Sequence, residues 1–97
     1  MEFKLPDTLT VGGIDYDVKQ KDTGRNGDFG FWECTGHIEI ADSIAGEKVS
    51  ESRKRQSFWH ELTHAVLHQM GEYDLCDDER FVNTFSSFLS GAVDSMK

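Results

Sequence analysis

A helix over residues 58–68 would have almost no face left for bulk water, and few folds can accommodate that. Phe58, Leu62, Ala65, Val66 and Gln69 recur at helical spacing and form a core face, widened by Trp59, Thr63 and Met70. His60, His64 and Leu67 fall on the opposite side. Such a helix is central: a sheet covers one side, and the other side lines a site. Its start lies near Val49 to Ser52, with a serine as N-cap. Its stop lies at Gly71, a natural residue for the position just past a helix end.

The preceding residues read as strands. Leu9 and Val11, then Ile14, Tyr16 and Val18, alternate with polar residues around Gly12-Gly13, which predicts a hairpin with a two-glycine turn. Asp22 to Asp28 is a polar loop containing Asn26-Gly27. Phe29, Phe31 and Cys34 suggest a third strand. Ile38 and Ile40 around Glu39 suggest a fourth that ends near Ala41-Asp42. A second helix is expected from about Asp77 to Val93, capped by Asp77 or Asp78, with Phe81, Phe85, Phe88, Leu89 and Ala92 as its apolar stripe. Strands followed by helices indicate an α+β domain. The expectation is a small antiparallel or mixed sheet of three to four strands, packed on the central helix and followed by the second helix, as one domain over residues 1–97.

Composition narrows the function classes. A formal net charge of -8, from 18 acidic and 10 basic side chains, repels phosphate backbones and anionic lipid, so no direct nucleic-acid or membrane partner is expected. Arg53-Lys54-Arg55, the one basic cluster, reads as a solvated helix face, with a docking patch as the alternative. Met1 to Leu9 has no apolar leader core, and no stretch reaches the ~18 apolar residues of a membrane span. The expected location is the cytoplasm of a bacterium or of an infected host cell. Cys34 and Cys76 have no C-x-x-C spacing and read as reduced thiols, although a single disulfide between them is compatible with the sequence.

The chemistry lies in His60-Glu61-Leu62-Thr63-His64. Histidines at i and i+4 of a helix share one face, and their imidazoles can converge on one Zn²⁺. Glu61 is rotated beside that metal, free to act on water. With four histidines in 97 residues, chance produces this spacing in roughly one such chain in a hundred. The plainer alternative is a pair of hydrogen-bonded core histidines. A catalytic zinc needs a third protein ligand. Glu79, opening the second helix, is placed for it if that helix turns back antiparallel, and Asn83 is one turn on, placed to hydrogen-bond a ligand imidazole. Helix-dipole preference alone would also put an acid at Glu79. Asp74, Asp77, Asp78 and His68 compete as ligands. The eight-residue rise from His60 to His68 is about 12 Å, so one ion cannot reach His60, His64 and His68 together.

The stretch from Phe58 to His68 resembles the active-site helix of the ImmA/IrrE family of metallopeptidases, gluzincin-like proteins common in phages and mobile elements. Glu79-Arg80-Phe81-Val82-Asn83-Thr84-Phe85 is similar to that family's second motif, and Gly36 to Asp42 resembles the edge strand preceding its active-site helix. The likeness covers roughly residues 9–91. It implies a minimal zincin-like domain, zinc on His60, His64 and Glu79, and cleavage of a protein, often a transcriptional repressor. The implied chemistry is peptide-bond hydrolysis, Glu61 taking a proton from water and delivering it to the leaving amine. The strand residues Ile38, Glu39 and Ile40 would pair with an extended substrate. Tyr73, His37, Tyr16 and Arg80 are candidate oxyanion donors. A zinc-containing binding module that sequesters a protein partner without cutting it is the competing reading.

Overall fold

A computed structural model of the chain describes residues 4–24 and 28–96. Among these described residues five strands precede three helices: β1 (Thr8–Val11), β2 (Ile14–Asp22), β3 (Gly30–Glu33), β4 (His37–Ile44), β5 (Glu47–Lys48), α1 (Glu51–Gln69), α2 (Tyr73–Cys76) and α3 (Glu79–Asp94). The expected α+β class is present, with a mixed sheet ordered β1-β2-β4-β3 and with β5 paired to β4. Asn26-Gly27 lies outside the described residues.

The first hairpin forms as its alternation predicts. Val11 pairs with Ile14, and Gly12 and Gly13 turn the chain at φ 57 and 83, values that glycine adopts without strain. β2 then pairs in parallel with β4, and β3 pairs with β4 from the other side. β4 runs on to Ile44 because a second tight hairpin follows it, turning through Ala45 (φ 49) and Gly46 (φ 87). The carboxylate of Asp22 clamps this turn, accepting from Gly46 N at 2.8 Å, Ala45 N at 3.2 Å, Gly24 N at 2.7 Å and Ser43 Oγ at 2.8 Å. These donors, Gly46 first, hold the Asp22 carboxyl down at about 2.

One correction concerns Ile38, Glu39 and Ile40. They were expected on an edge strand that could pair with substrate, but β4 is internal. Its backbone is paired to β2 on one side and to β3 on the other over these three residues. Ile38 and Ile40 are fully buried. β3, not β4, ends that side of the sheet.

α1 crosses the sheet. Val11, Tyr16, Val18, Ile38, Ile40, Phe58 and Ala65 form the core between them, with Trp59 and Leu62 packed at its margin. Val66 and Met70, expected on this face, are instead exposed at the far end of the helix. Ser50 caps the helix by accepting from Arg53 N at 3.2 Å. Gly71, at φ 80, closes it: Gly71 N donates to His68 O and Glu72 N to Leu67 O, the paired bonds of a Schellman end.

On α1's second side, expected to line a site, Leu67 is instead covered by Cys76 and Val82. The single turn α2 precedes α3, which Asp78 caps by accepting from Phe81 N at 3.1 Å. Arg55, early in α1, bonds Asp94 at the end of α3, while His60 and His64 meet Glu79 at its start, so the helices run antiparallel.

The face that α3 buries corrects a second expectation. Val82, Ser86 and Ser90 are buried, while Phe81, Phe85 and Phe88 are 36%, 45% and 77% exposed and Ala92 is exposed too. Of the expected stripe only Leu89 is half-buried. The helix turns its small side chains towards its neighbours, where Ser86 and Ser90 leave room for close approach.

Candidate metal centre

Helical geometry brings the two motif histidines together and antiparallel packing adds the third group. His64 Nε2 lies 2.9 Å from Glu79 Oε1, and His60 Nε2 lies 3.3 Å from Glu79 Oε2. One donor atom from each of His60, His64 and Glu79 lies within 4.8 Å of the others. Tetrahedral zinc with bonds of about 2.0–2.1 Å needs its ligand atoms about 3.3 Å apart. Two imidazoles and one carboxylate are also a donor set that zinc accepts. Among the described residues this is the one such cluster, and Asp74, Asp77, Asp78 and His68 do not join it. Asp78 is committed to the α3 cap, and His68 packs against Trp32 and Tyr73.

Glu61 stands beside the triad, buried beneath β3, with Oε1 4.0 Å from His60 Nε2. Its Oε2 is buried with no hydrogen-bond partner among the described residues. A buried, unsatisfied carboxylate oxygen is costly, and a cation or water next to the histidines would relieve it. Burial pushes Glu61 up to about 7, with the negative charges of Glu79 and Asp28 adding to the effect. A divalent cation between the ligands would pull it down again. Burial likewise lowers His60, outweighing Glu79, which favours the neutral imidazole that a metal requires. Asn83, one turn on from Glu79, lines the same cleft as His60.

Three further residues shape the site, and the sequence marked none of them as belonging to it. Trp32 stacks on the His64 ring with centroids 5.6 Å apart. Cys76 Sγ donates to His64 O at 3.3 Å and lies 3.7 Å from His64 Nδ1. A proton on Nδ1 pointing at that sulfur leaves Nε2 free to ligate. Gly30 lies against Glu61: a Cβ there would come within 2.9 Å of Glu61 Cγ. The alternation of Phe29 and Phe31 pointed away from Trp32, yet those two rings are exposed and Trp32 is half-buried, and nothing local pairs it with His64.

A cleft of about 450 Å³ opens beside the triad, with Phe29, Gly30, Arg53, Gln56, His60, Glu61 and Asn83 in its walls. The four candidate oxyanion donors do not line it. Tyr16 is in the sheet–helix core, donating to Cys34 O at 3.4 Å and accepting from Gln69 at 3.1 Å. His37 is held between Asp17 and Glu39. Tyr73 is exposed against His68, and Arg80 is exposed on α3.

Cys34 and Cys76 are both free, one exposed and one buried, so the disulfide left open by the sequence does not form. Among the described residues no helix is long and apolar enough to cross a membrane. Among known proteins, the chain matches no family model, no curated protein and no solved structure.

Proposed function

We propose that this chain is a zinc-dependent metallopeptidase that hydrolyses a peptide bond in a protein substrate, with a transcriptional repressor as the substrate class that the resemblance of its motifs to the ImmA/IrrE family implies. The observation that carries this reading is the convergence of His60, His64 and Glu79 beside a buried Glu61, next to an open cleft. His60, His64 and Glu79 would hold the ion. Zinc bound there supplies Lewis acidity to a carbonyl and brings water towards its ionised form at neutral pH.

The chain's own side chains do the remaining work. Glu61 accepts the proton of the attacking water and hands it to the leaving amine. Cys76 holds the His64 imidazole in orientation, and Asn83 stands in the cleft wall with His60. β3 is the free edge beside the cleft among the described residues, so an extended substrate would add to β3.

The test pairs metal analysis with proteolysis. Protein purified without added zinc should carry near-stoichiometric metal, and Glu79→Gln or His60→Ala should lose it. Wild type should cut a substrate protein that Glu61→Gln binds but leaves intact. Equal cleavage by both would remove Glu61 from the mechanism. Full biological activity in Glu61→Gln would instead favour the binding-module reading.

A further inference from the structure

The three basic residues near the start of α1 end up in different surroundings. Lys54 Nζ lies 3.0 Å from Glu51, and Arg55 Nε lies 2.9 Å from Asp94. Arg53 makes no ion pair among the described residues, in a chain with 18 acidic and only 10 basic side chains. Its guanidinium lies over the Phe29 ring, 4.2 Å from the centroid, and Nη1 donates to Gln56 Oε1 at 3.3 Å. Arg53, Phe29 and Gln56 all line the cleft that reaches His60 and Glu61. Asp28 lines it too, without pairing to Arg53.

We propose that Arg53 is a specificity residue, selecting peptides that carry Asp or Glu two to three residues from the bond to be cut. This rests on the peptidase reading above. Arg53 precedes His60 by two helical turns, about 10 Å along the axis, which is the span of about three residues of extended peptide. A guanidinium fork matches a carboxylate in a two-point contact. The Phe29 ring supports one face of that fork and Gln56 restrains its edge, so little ordering remains to be done when an acid arrives. Ser57, Ser86 and Ser87 give the cleft between them a hydroxyl lining suited to polar side chains. Elsewhere the acidic surface repels an acidic peptide, so the preference is local to Arg53 and weakens as salt rises.

The experiment exposes a random peptide library with blocked termini to the zinc-loaded protein and reads the cleaved sites by mass spectrometry. Wild type should show about tenfold enrichment of Asp and Glu at one position two to three residues from the cut. Arg53→Gln should remove the enrichment, and Arg53→Glu should turn it towards Lys and Arg. A glutamate three residues after the Ser50 cap suits a helix start, so the reversed variant should fold. Cleavage by wild type without acidic enrichment, or an unchanged profile in Arg53→Glu, overturns the proposal and leaves the peptidase reading standing. No cleavage of any peptide by zinc-bound wild type defeats the peptidase reading, and the proposal falls with it.

Discussion

Trp32 lies flat against His64, with ring centroids 5.6 Å apart and planes 5° from parallel. β3 supplies the indole and α1 the imidazole, so the contact ties the outer strand of the sheet to the candidate metal centre. With Cys76 Sγ beside Nδ1, the His64 ring is held on one face and one edge. Groups that orient a ligand imidazole typically change metal affinity by 10–100-fold when removed. Trp32→Leu should therefore weaken zinc binding by about tenfold, measured by competition against a chromophoric chelator. An unchanged affinity would show that the stack contributes packing alone.

α3 yields a prediction that runs against its composition. Val82 is fully buried against Leu67 and Cys76, whereas Phe88 is 77% exposed. Val82→Ala should cost about 1–2 kcal/mol in urea denaturation, as a small cavity opens between the helices. Phe88→Ser should stay within about 0.5 kcal/mol, as exposed positions do. A larger loss for Phe88 than for Val82 would mean that α3 is rotated from the orientation described above.

The same helix shows where the sequence was readable and where it was not. Local patterns were reliable: His60 and His64 at i and i+4, the Ser50 cap, the Gly71 stop and the Gly12-Gly13 turn all depend on residues a few positions apart. The closeness of Glu79 to the histidines needed the antiparallel return of α3, which the spacing allowed and the motif resemblance suggested. Which side of α3 faces inward was not legible, because Phe81, Phe85 and Phe88 are as periodic as Val82, Ser86 and Ser90. Hydrophobicity favoured the phenylalanines, and helix-to-helix fit favoured the small residues. The placement of β4 was hidden for a similar reason. Ile38-Glu39-Ile40 alternates identically in an edge or an internal strand, and only pairing with β2 and β3, distant in sequence, decides between them.

His37 gives a pH dependence independent of the metal centre. Its Nε2 lies 3.1 Å from Glu39 and its Nδ1 2.9 Å from Asp17. The hydrogen bond to Glu39 raises its pKa above 6.5 most, with Asp17 adding and burial opposing. A raised folded value means the stabilisation is fully present below about 6.5 and is lost as pH rises through the folded value. The group is partly solvated, so its contribution is up to about 1 kcal/mol. In chelator-treated protein, His37→Gln should be less stable than wild type at pH 5.5 and nearly equal to it at pH 9. A difference that does not vary with pH would remove the charged imidazole from the account.

Gly30 tests whether the position of Glu61 is set by the strand above it. A Cβ at Gly30 would lie 2.9 Å from Glu61 Cγ, 3.3 Å from its Cδ and 3.4 Å from Glu39 O. The nearest atom is mid-chain on a buried side chain, so Glu61 or β3 must shift. Overpacking of this kind costs about 1–3 kcal/mol. Gly30→Ala should lose that much stability and most of any hydrolytic rate, because a displaced Glu61 no longer reaches the proton it must move. Zinc affinity should hold within about twofold, since the three atoms nearest the new methyl belong to Glu61 and Glu39 and not to His60, His64 or Glu79. Loss of zinc along with activity would indicate that the substitution disturbs the whole centre. Retention of zinc with loss of turnover would assign β3 the role of seating Glu61 beside the metal ligands.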